Sequence, residues 1–350
     1  MTIQLERSRV TTPDGVRLNV EVAGPADAPV TVLLVHGWTC STRSWHNQVE
    51  TLPQILGPDA VRVVTYDHRG HGRSDAAPSG STRIEQLADD LVTVLDSVVG
   101  DGPVVYAGHS MGGMTLMALA DRHPELFGDR IRAAALVSTS SGHITAGALG
   151  LPKRLEPAAA VLAPRAMNLV GAGVDRRSAR RAATSPAVST AAMAEQAAAA
   201  VERAATTAGS GTAGAGRSSA RGRAVARAVS ARVQRAGLRR LVFGKRPDPA
   251  EVELFLSDLA VVPGPSYGGF FDAILHHDLD HALKVLDELP VEVMHGTRDR
   301  LLPPRHANRI AAQLPSARLW IYPGAGHMLM QERPRDVTHR LASLARKVIA

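Results

Sequence analysis

A serine pentad between a strand pattern and a helix pattern constrains the fold of this chain more than any other feature. Residues 108–112 read Gly-His-Ser-Met-Gly. The apolar run at 103–107 predicts a buried strand before the pentad, and residues 114–122 predict a helix after it. A serine on such a tight turn exposes its hydroxyl above the end of a sheet, and the flanking glycines avoid a clash across the turn. Because Gly-x-Ser-x-Gly also occurs by chance, its surroundings decide what it means.

Four further motifs, each after an apolar strand pattern, agree with that interpretation. His-Gly-Trp at 36–38 lies where the loop of an oxyanion hole would begin, and an Asp-His-Arg-Gly-His-Gly-Arg-Ser turn occupies 67–74. Asp299 and His327 each follow one of the last two predicted strands. A nucleophile, an acid and a base would therefore occur in the chain order Ser110, Asp299, His327.

The order and setting of these motifs resemble those of the α/β-hydrolase-fold serine hydrolases of the esterase/lipase type. The resemblance covers residues 16–143 and 264–350. It implies that Ser110 is the nucleophile, that His327 is the general base and that Asp299 is the acid that orients the imidazole. The fold alone says much less about the substrate, because it hosts many chemistries.

The resemblance also implies which nearby groups take part in the site. The backbone N–H groups of Trp38 and Met111 would form the oxyanion hole. No carboxylate occurs in Ser-Thr-Ser-Ser at 138–141, where some relatives carry the acid, and this favours Asp299. His109 should point away from Ser110, because successive side chains on a sharp turn diverge. We expect the following neighbours to be structural: His36, Cys40, Asp67, Arg69, Ser74 and His295.

The expected activity is cleavage of a small-molecule hydrophobic carboxylic ester through an acyl-enzyme, with no cofactor and no metal. A thioesterase or a C–C bond hydrolase on the same triad remains an alternative, as does a non-catalytic binding or accessory protein that retains the fold. Serine at position 110 argues against haloalkane dehalogenases and epoxide hydrolases, which carry aspartate there. A group of histidines and aspartates at 276–281 could suggest a metal site, but surface pairs and helix caps explain it better.

The remaining patterns predict an α/β protein with a doubly wound, mostly parallel sheet and an inserted, mainly helical cap. The first 25 residues predict a hairpin that turns at Pro-Asp-Gly 13–15. Continuous apolar runs alternate with helical stripes, as expected for strands that helices cover on both faces. We assign 1–143 and 264–350 to the core and 144–263 to the cap. The predicted core strands are 30–35, 61–66, 103–107, 133–137, 291–294 and 319–322.

The net charge of +7 is concentrated in one part of the chain. Residues 151–250 hold 18 Lys and Arg against 5 Asp and Glu, whereas the rest is mildly acidic. The basic balance is therefore no signature of nucleic-acid binding. Residues 221–242 have the pattern of a basic amphipathic helix, and 209–216 that of a flexible loop. This segment is either a solvated lid or a contact with an anionic membrane surface or with an acidic, lipid-like substrate.

Targeting signals are absent from the sequence pattern. The first residues have no apolar signal-peptide core, and no run approaches the roughly 18–20 apolar residues of a membrane span. Cys40 is the single cysteine, so no disulfide can form within the chain. We therefore expect a cytoplasmic protein, with peripheral membrane association only if the basic segment binds lipid.

Overall fold

Eight strands form one sheet in this computed structural model, which describes residues 5–144 and 235–350. The strand order is β1-β2-β4-β3-β5-β6-β7-β8. The first two strands form an antiparallel hairpin, β2 pairs antiparallel with β4, and all later neighbours are parallel. The strands are β1 Glu6–Thr11, β2 Arg17–Ala23, β3 Thr31–Val35, β4 Arg62–Tyr66, β5 Val104–His109, β6 Ile131–Val137, β7 Val291–Gly296 and β8 Arg318–Tyr322.

Helices cover both faces of this sheet because its parallel strands are apolar on both sides. Leu33 and Val35 belong to one buried cluster, whereas Val32 and Leu34 belong to a second one. Such alternation means that the two clusters lie on opposite faces. The helices are α1 His46–Leu56, α2 Ile84–Val94, α3 Met111–Arg122, α4 Pro249–Leu259, α5 Gly264–Leu275, α6 Arg305–Gln313, α7 Leu329–Glu332 and α8 Pro334–Ile349.

The predicted fold class is confirmed, and the ends of each predicted core strand are right to within two residues. The apolar stripe of helix α2 continues beyond the end of that helix. The α-helix ends at Val94, and a π-helical turn at Leu95–Val99 carries the last residues of the stripe. This turn ends at Gly100, whose φ of 72° lies in the left-handed region that favours glycine. Sequence periodicity therefore located the apolar face but not the change of helix type.

Only the last part of the predicted cap lies within the described residues. There, residues 235–242 are helical, α4 follows, and the side chains of Val242, Phe243 and Phe255 join the buried cluster on the α1 and α8 face. Asp258 of α4 accepts a hydrogen bond from the hydroxyl of Ser41 at 2.8 Å. The loop predicted at 209–216 and most of the amphipathic pattern lie outside the described residues, so that interpretation stays a prediction.

None of the helices within residues 5–144 and 235–350 is both long and apolar enough to cross a bilayer.

Candidate active site

Ser110 occupies the turn between β5 and α3. Its backbone has φ of 51° and ψ of −115°, a region that residues other than glycine rarely adopt. The adjacent strand β6 and the loop after it hold this conformation. The N–H of Ser110 donates to the C=O of Val137 at 2.9 Å, and its C=O accepts from Oγ1 of Thr139 at 2.7 Å. The turn is therefore strained, but hydrogen bonds hold both the N–H and the C=O of Ser110 in place.

The two glycines of the pentad allow the chain to cross itself closely. A Cβ atom on Gly108 would lie 2.5 Å from the carbonyl carbon of Gly112. A Cβ atom on Gly112 would overlap the carbonyl oxygen of Val35 at the end of β3. Real Cβ atoms do not approach backbone this closely, so any larger residue would displace the turn. The sequence prediction that both positions need a small residue is confirmed.

His327 and Asp299 form a buried pair at the ends of the last two strands. Nδ1 of His327 lies 2.7 Å from Oδ2 of Asp299, and Oδ1 of Asp299 accepts the N–H of Leu301 at 3.0 Å and of Leu302 at 2.8 Å. Burial raises the pKa of Asp299. The charge of His327 and hydrogen bonds from His295 and His327 outweigh burial and hold that pKa well below its usual range. The carboxylate stays ionised and orients the imidazole.

The imidazole of His327 and the serine turn lie at the same edge of the sheet. The ring of His327 packs beside that of His109, with centroids 4.8 Å apart, and Nε2 of His109 lies 3.0 Å from the C=O of His327. The side chain of His109, which was expected to point away from Ser110, thus links β5 to the loop of His327. Among the described residues no hydrogen bond joins the Ser110 hydroxyl to His327. Such bonds often tighten only when substrate is bound.

Two backbone N–H groups near Ser110 are suited to bind an oxyanion. Met111 begins α3, so its N–H has no acceptor within the helix. Within 5–144 and 235–350, the N–H of Trp38 donates no backbone hydrogen bond. The loop of Trp38 lies against the serine, because a Cβ atom on Gly37 would be 3.0 Å from Cβ of Ser110. His36 holds this loop, with Nδ1 2.8 Å from the C=O of Gly37.

Two aromatic side chains of helix α5, Tyr267 and Phe271, pack against Trp38, and we call these three rings the aromatic wall. The indole ring packs 4.5 Å from the ring of Tyr267 and 5.2 Å from that of Phe271, and its Nε1 donates to the C=O of Tyr267 at 3.1 Å. Burial raises the pKa of Tyr267 to about 12, so its phenol stays neutral. The sequence suggested Trp38 as a pocket residue but not its neighbours Tyr267 and Phe271. Their one signal was the spacing of four between the two aromatic residues, which places them on one face of a helix.

Two of the residues expected to be structural, Arg69 and Asp67, have partners that support the fold. Arg69 donates to the carboxylates of Asp90 and Asp14, and Asp67 accepts the N–H groups of Thr42 and Arg73. Three of the residues at 276–281 form ion pairs with residues elsewhere in the chain. These pairs are His276 with Asp272, His281 with Asp121, and Asp280 with Arg309. The potential ligand atoms of His143, Asp278 and Asp280 also lie within 4.8 Å of one another, so surface pairing rather than a metal site stays a prediction.

This chain belongs to the α/β hydrolase fold family, whose pattern matches residues 30–334. It is 36% identical over 129 residues to a bifunctional esterase/perhydrolase of Acinetobacter calcoaceticus, covering 37% of this chain and 43% of that protein. It is also 36% identical over 162 residues to a lipase of Mycobacterium tuberculosis, covering 45% and 56%. The chain therefore matches about half the length of these curated relatives.

Solved structures extend the similarity to the whole fold. A thermophilic esterase from Thermogutta terrifontis aligns with a TM-score of 0.65 and 21% identity, over 99% of this chain and 100% of that one. At this identity the likeness concerns the architecture alone.

Proposed function

We propose that this chain is a serine hydrolase that cleaves a hydrophobic carboxylic ester through an acyl-enzyme intermediate. The observation that carries the proposal is the buried pair of His327 and Asp299, 2.7 Å apart, at the sheet edge where the turn of Ser110 lies. A serine hydroxyl is nearly un-ionised at neutral pH and needs an adjacent base. An imidazole oriented by an ionised carboxylate is such a base.

The reaction proceeds in two halves on this triad. Oγ of Ser110 attacks the ester carbonyl while Nε2 of His327 takes its proton. The N–H groups of Trp38 and Met111 stabilise the negative oxygen that develops, and the alcohol leaves with the proton from His327. Water then gives a proton to the same imidazole as its oxygen attacks the acyl carbonyl. The bond between the acyl group and Oγ of Ser110 breaks, His327 returns the proton to Oγ, and the acid is released. Asp299 stays ionised throughout and stabilises the imidazolium.

Two observations support an apolar ester as the substrate. The matched relatives include an esterase and a lipase. In this chain the aromatic wall of Trp38, Tyr267 and Phe271 lies beside the oxyanion loop, where it can contact an apolar acyl or alcohol group.

A fluorophosphonate probe tests the activity, because only an activated serine reacts with it. The wild-type protein and Ser8→Ala, which changes an exposed serine on β1, should both be labelled. Ser110→Ala should not be labelled. An unlabelled wild-type protein, or labelling that persists in Ser110→Ala, would refute the proposal.

A substrate panel then separates the ester from its alternatives. Carboxylic esters of increasing acyl length should be cleaved faster than thioesters of the same acids and than C–C substrates. A preference for thioesters or for C–C bonds would keep the triad but change the proposed reaction.

A further inference from the structure

The loop that carries His327 lies against a segment from elsewhere in the chain, residues 242–245. The N–H of His327 donates to the C=O of Val242 at 2.7 Å. The N–H of Lys245 donates to the C=O of Gly324 at 3.1 Å. The backbone of His327, the proposed base, is therefore hydrogen-bonded directly to a segment 85 residues earlier in the sequence.

The carboxylate of Glu332, at the end of α7, joins the same two segments. Oε2 accepts the N–H of Gly244 at 2.8 Å, and Oε1 accepts the N–H of Gly326 at 2.8 Å. Gly326 immediately precedes His327. One carboxylate thus bridges both backbones, and we call this arrangement the Glu332 bridge.

The two segments touch through glycine at both sides of the bridge. A Cβ atom on Gly326 would lie 2.5 Å from the N of Gly244. A Cβ atom on Gly244 would overlap the C=O of Gly324. The contact is therefore backbone against backbone, and movement of one segment displaces the other.

Helix capping does not explain Glu332. Helix α8 begins just after Glu332, and the N-cap residue of α8 is Arg333, which makes no side-chain capping hydrogen bond. Both oxygens of Glu332 accept N–H groups outside α7 and α8. The side chain therefore acts between segments rather than at a helix end.

We propose that Glu332 is a positioning residue for His327: its bridge fixes the loop of the base to residues 242–245 and so sets where the imidazole stands relative to Ser110. The proposal rests on the proposed function only in naming His327 as the base. Because catalysis requires the imidazole within hydrogen-bond reach of the serine, a small displacement of the loop lowers the rate.

The electrostatics of Glu332 make its bridge sensitive to pH. Burial raises its pKa to about 7, although the N–H donors of Gly244 and Gly326 lower it. The charged groups that face it are Asp299, which raises the pKa further, and His327, which lowers it. A protonated carboxyl carries hydrogen on one oxygen, which then accepts a hydrogen bond less well. The bridge is therefore strongest above neutral pH.

The test compares Glu332→Gln with Glu288→Gln, a matched change at an exposed position. The amide is nearly isosteric with the carboxyl, but its NH₂ group faces one backbone N–H and cannot accept from it. We expect kcat to fall on the order of 10- to 100-fold with KM little changed. Amide hydrogen exchange should become faster in peptides containing 242–245 and 324–327. Glu288→Gln should match the wild-type protein in both measurements.

The pH profile gives a readout that a merely structural role would not change. In the wild-type protein, protonation of Glu332 near pH 7 should lower log kcat/KM on the acid side of the profile, because it weakens the bridge. The amide of Glu332→Gln does not titrate there, so this decrease should be missing from its profile.

Unchanged exchange in both peptides, or unchanged kcat with an unchanged pH profile, would overturn the proposal. If Glu332→Gln does not fold, Glu332→Asp serves instead, because it keeps the charge but is one methylene too short to reach both N–H groups. Faster exchange in at least one segment is expected there, and wild-type exchange in both would refute the bridge. Failure of the proposed function is distinguishable: the wild-type protein would then escape fluorophosphonate labelling, while hydrogen exchange still reports on the bridge.

Discussion

The turn that carries Ser110 is fixed by its own glycines and by the neighbouring strand and loop, whereas the loop that carries His327 depends on distant parts of the chain. The serine turn needs Val137 and Thr139 beside it. The loop of His327 needs His109 on β5, Asp299 after β7 and the segment 242–245. The hydrogen bonds that hold the serine turn reach residues up to 29 positions away, whereas the loop of His327 also needs contacts with residues 85 and 218 positions away.

Removing either chemical group should produce the largest effect. Ser110→Ala and His327→Ala should each lower kcat on the order of 10⁴-fold or more, and the double variant should lose little further, because the residues act as a unit. Steady-state kinetics on the best ester of the panel would measure this. Retention of more than a few per cent of activity in Ser110→Ala would show that another group is the nucleophile.

Asp299→Asn should have the next largest effect, roughly 10³- to 10⁴-fold in kcat. The amide keeps the shape of the carboxylate but favours the wrong imidazole tautomer and no longer stabilises the imidazolium. Folding should be preserved, as judged by circular dichroism. Full activity would mean that a different carboxylate serves His327, which a crystal structure of the variant would identify.

The same contrast explains which parts of the site could be predicted from the sequence. Continuous apolar runs specify the core strands, and polar residues that follow parallel strands meet at one sheet edge, so the proposed triad of Ser110, Asp299 and His327 could be suggested by motif. The partners of His327 could not. Gly244 and Glu332 lie 88 positions apart, and no periodicity links them. Only the folded chain shows that they meet.

Thr139→Val should have a moderate effect, confined to the serine half of the site. The change keeps the side-chain volume but removes the hydrogen bond to the C=O of Ser110, which lies in a buried turn. We expect unfolding to become easier by about 1 kcal/mol and kcat to fall roughly tenfold. The control is Thr93→Val, which removes a similar bond to the C=O of Asp89 on α2. An equal loss of kcat in both variants would mean that the turn needs no such support.

The smallest expected effect is a difference in pH response between the turn of Ser110 and the loop of His327. The pKa of Glu332 is raised from 4.5 to about 7 in the folded protein. Burial disfavours the ionised carboxylate by more than its stronger hydrogen bonds favour it, so the stability that the protonated carboxyl contributes is fully present below pH 4.5 and is lost as the pH rises through about 7. The free energy of unfolding of the wild-type protein, relative to Glu332→Gln, should therefore fall between pH 5 and pH 8. Because the side chain is partly exposed, we expect a fall on the order of 1 kcal/mol.

Urea unfolding at both pH values measures these differences, and Thr139→Val supplies the comparison. Neither the hydroxyl of Thr139 nor the C=O of Ser110 titrates, so the destabilisation caused by that variant should be the same at pH 5 and pH 8. Ionisable groups elsewhere in the protein cancel when each variant is compared with the wild-type protein at the same pH. A pH-dependent cost in Thr139→Val, or a pH-independent one in Glu332→Gln, would contradict the distinction. The expected pattern would place the pH sensitivity of this site in the support of the base rather than in the support of the nucleophile.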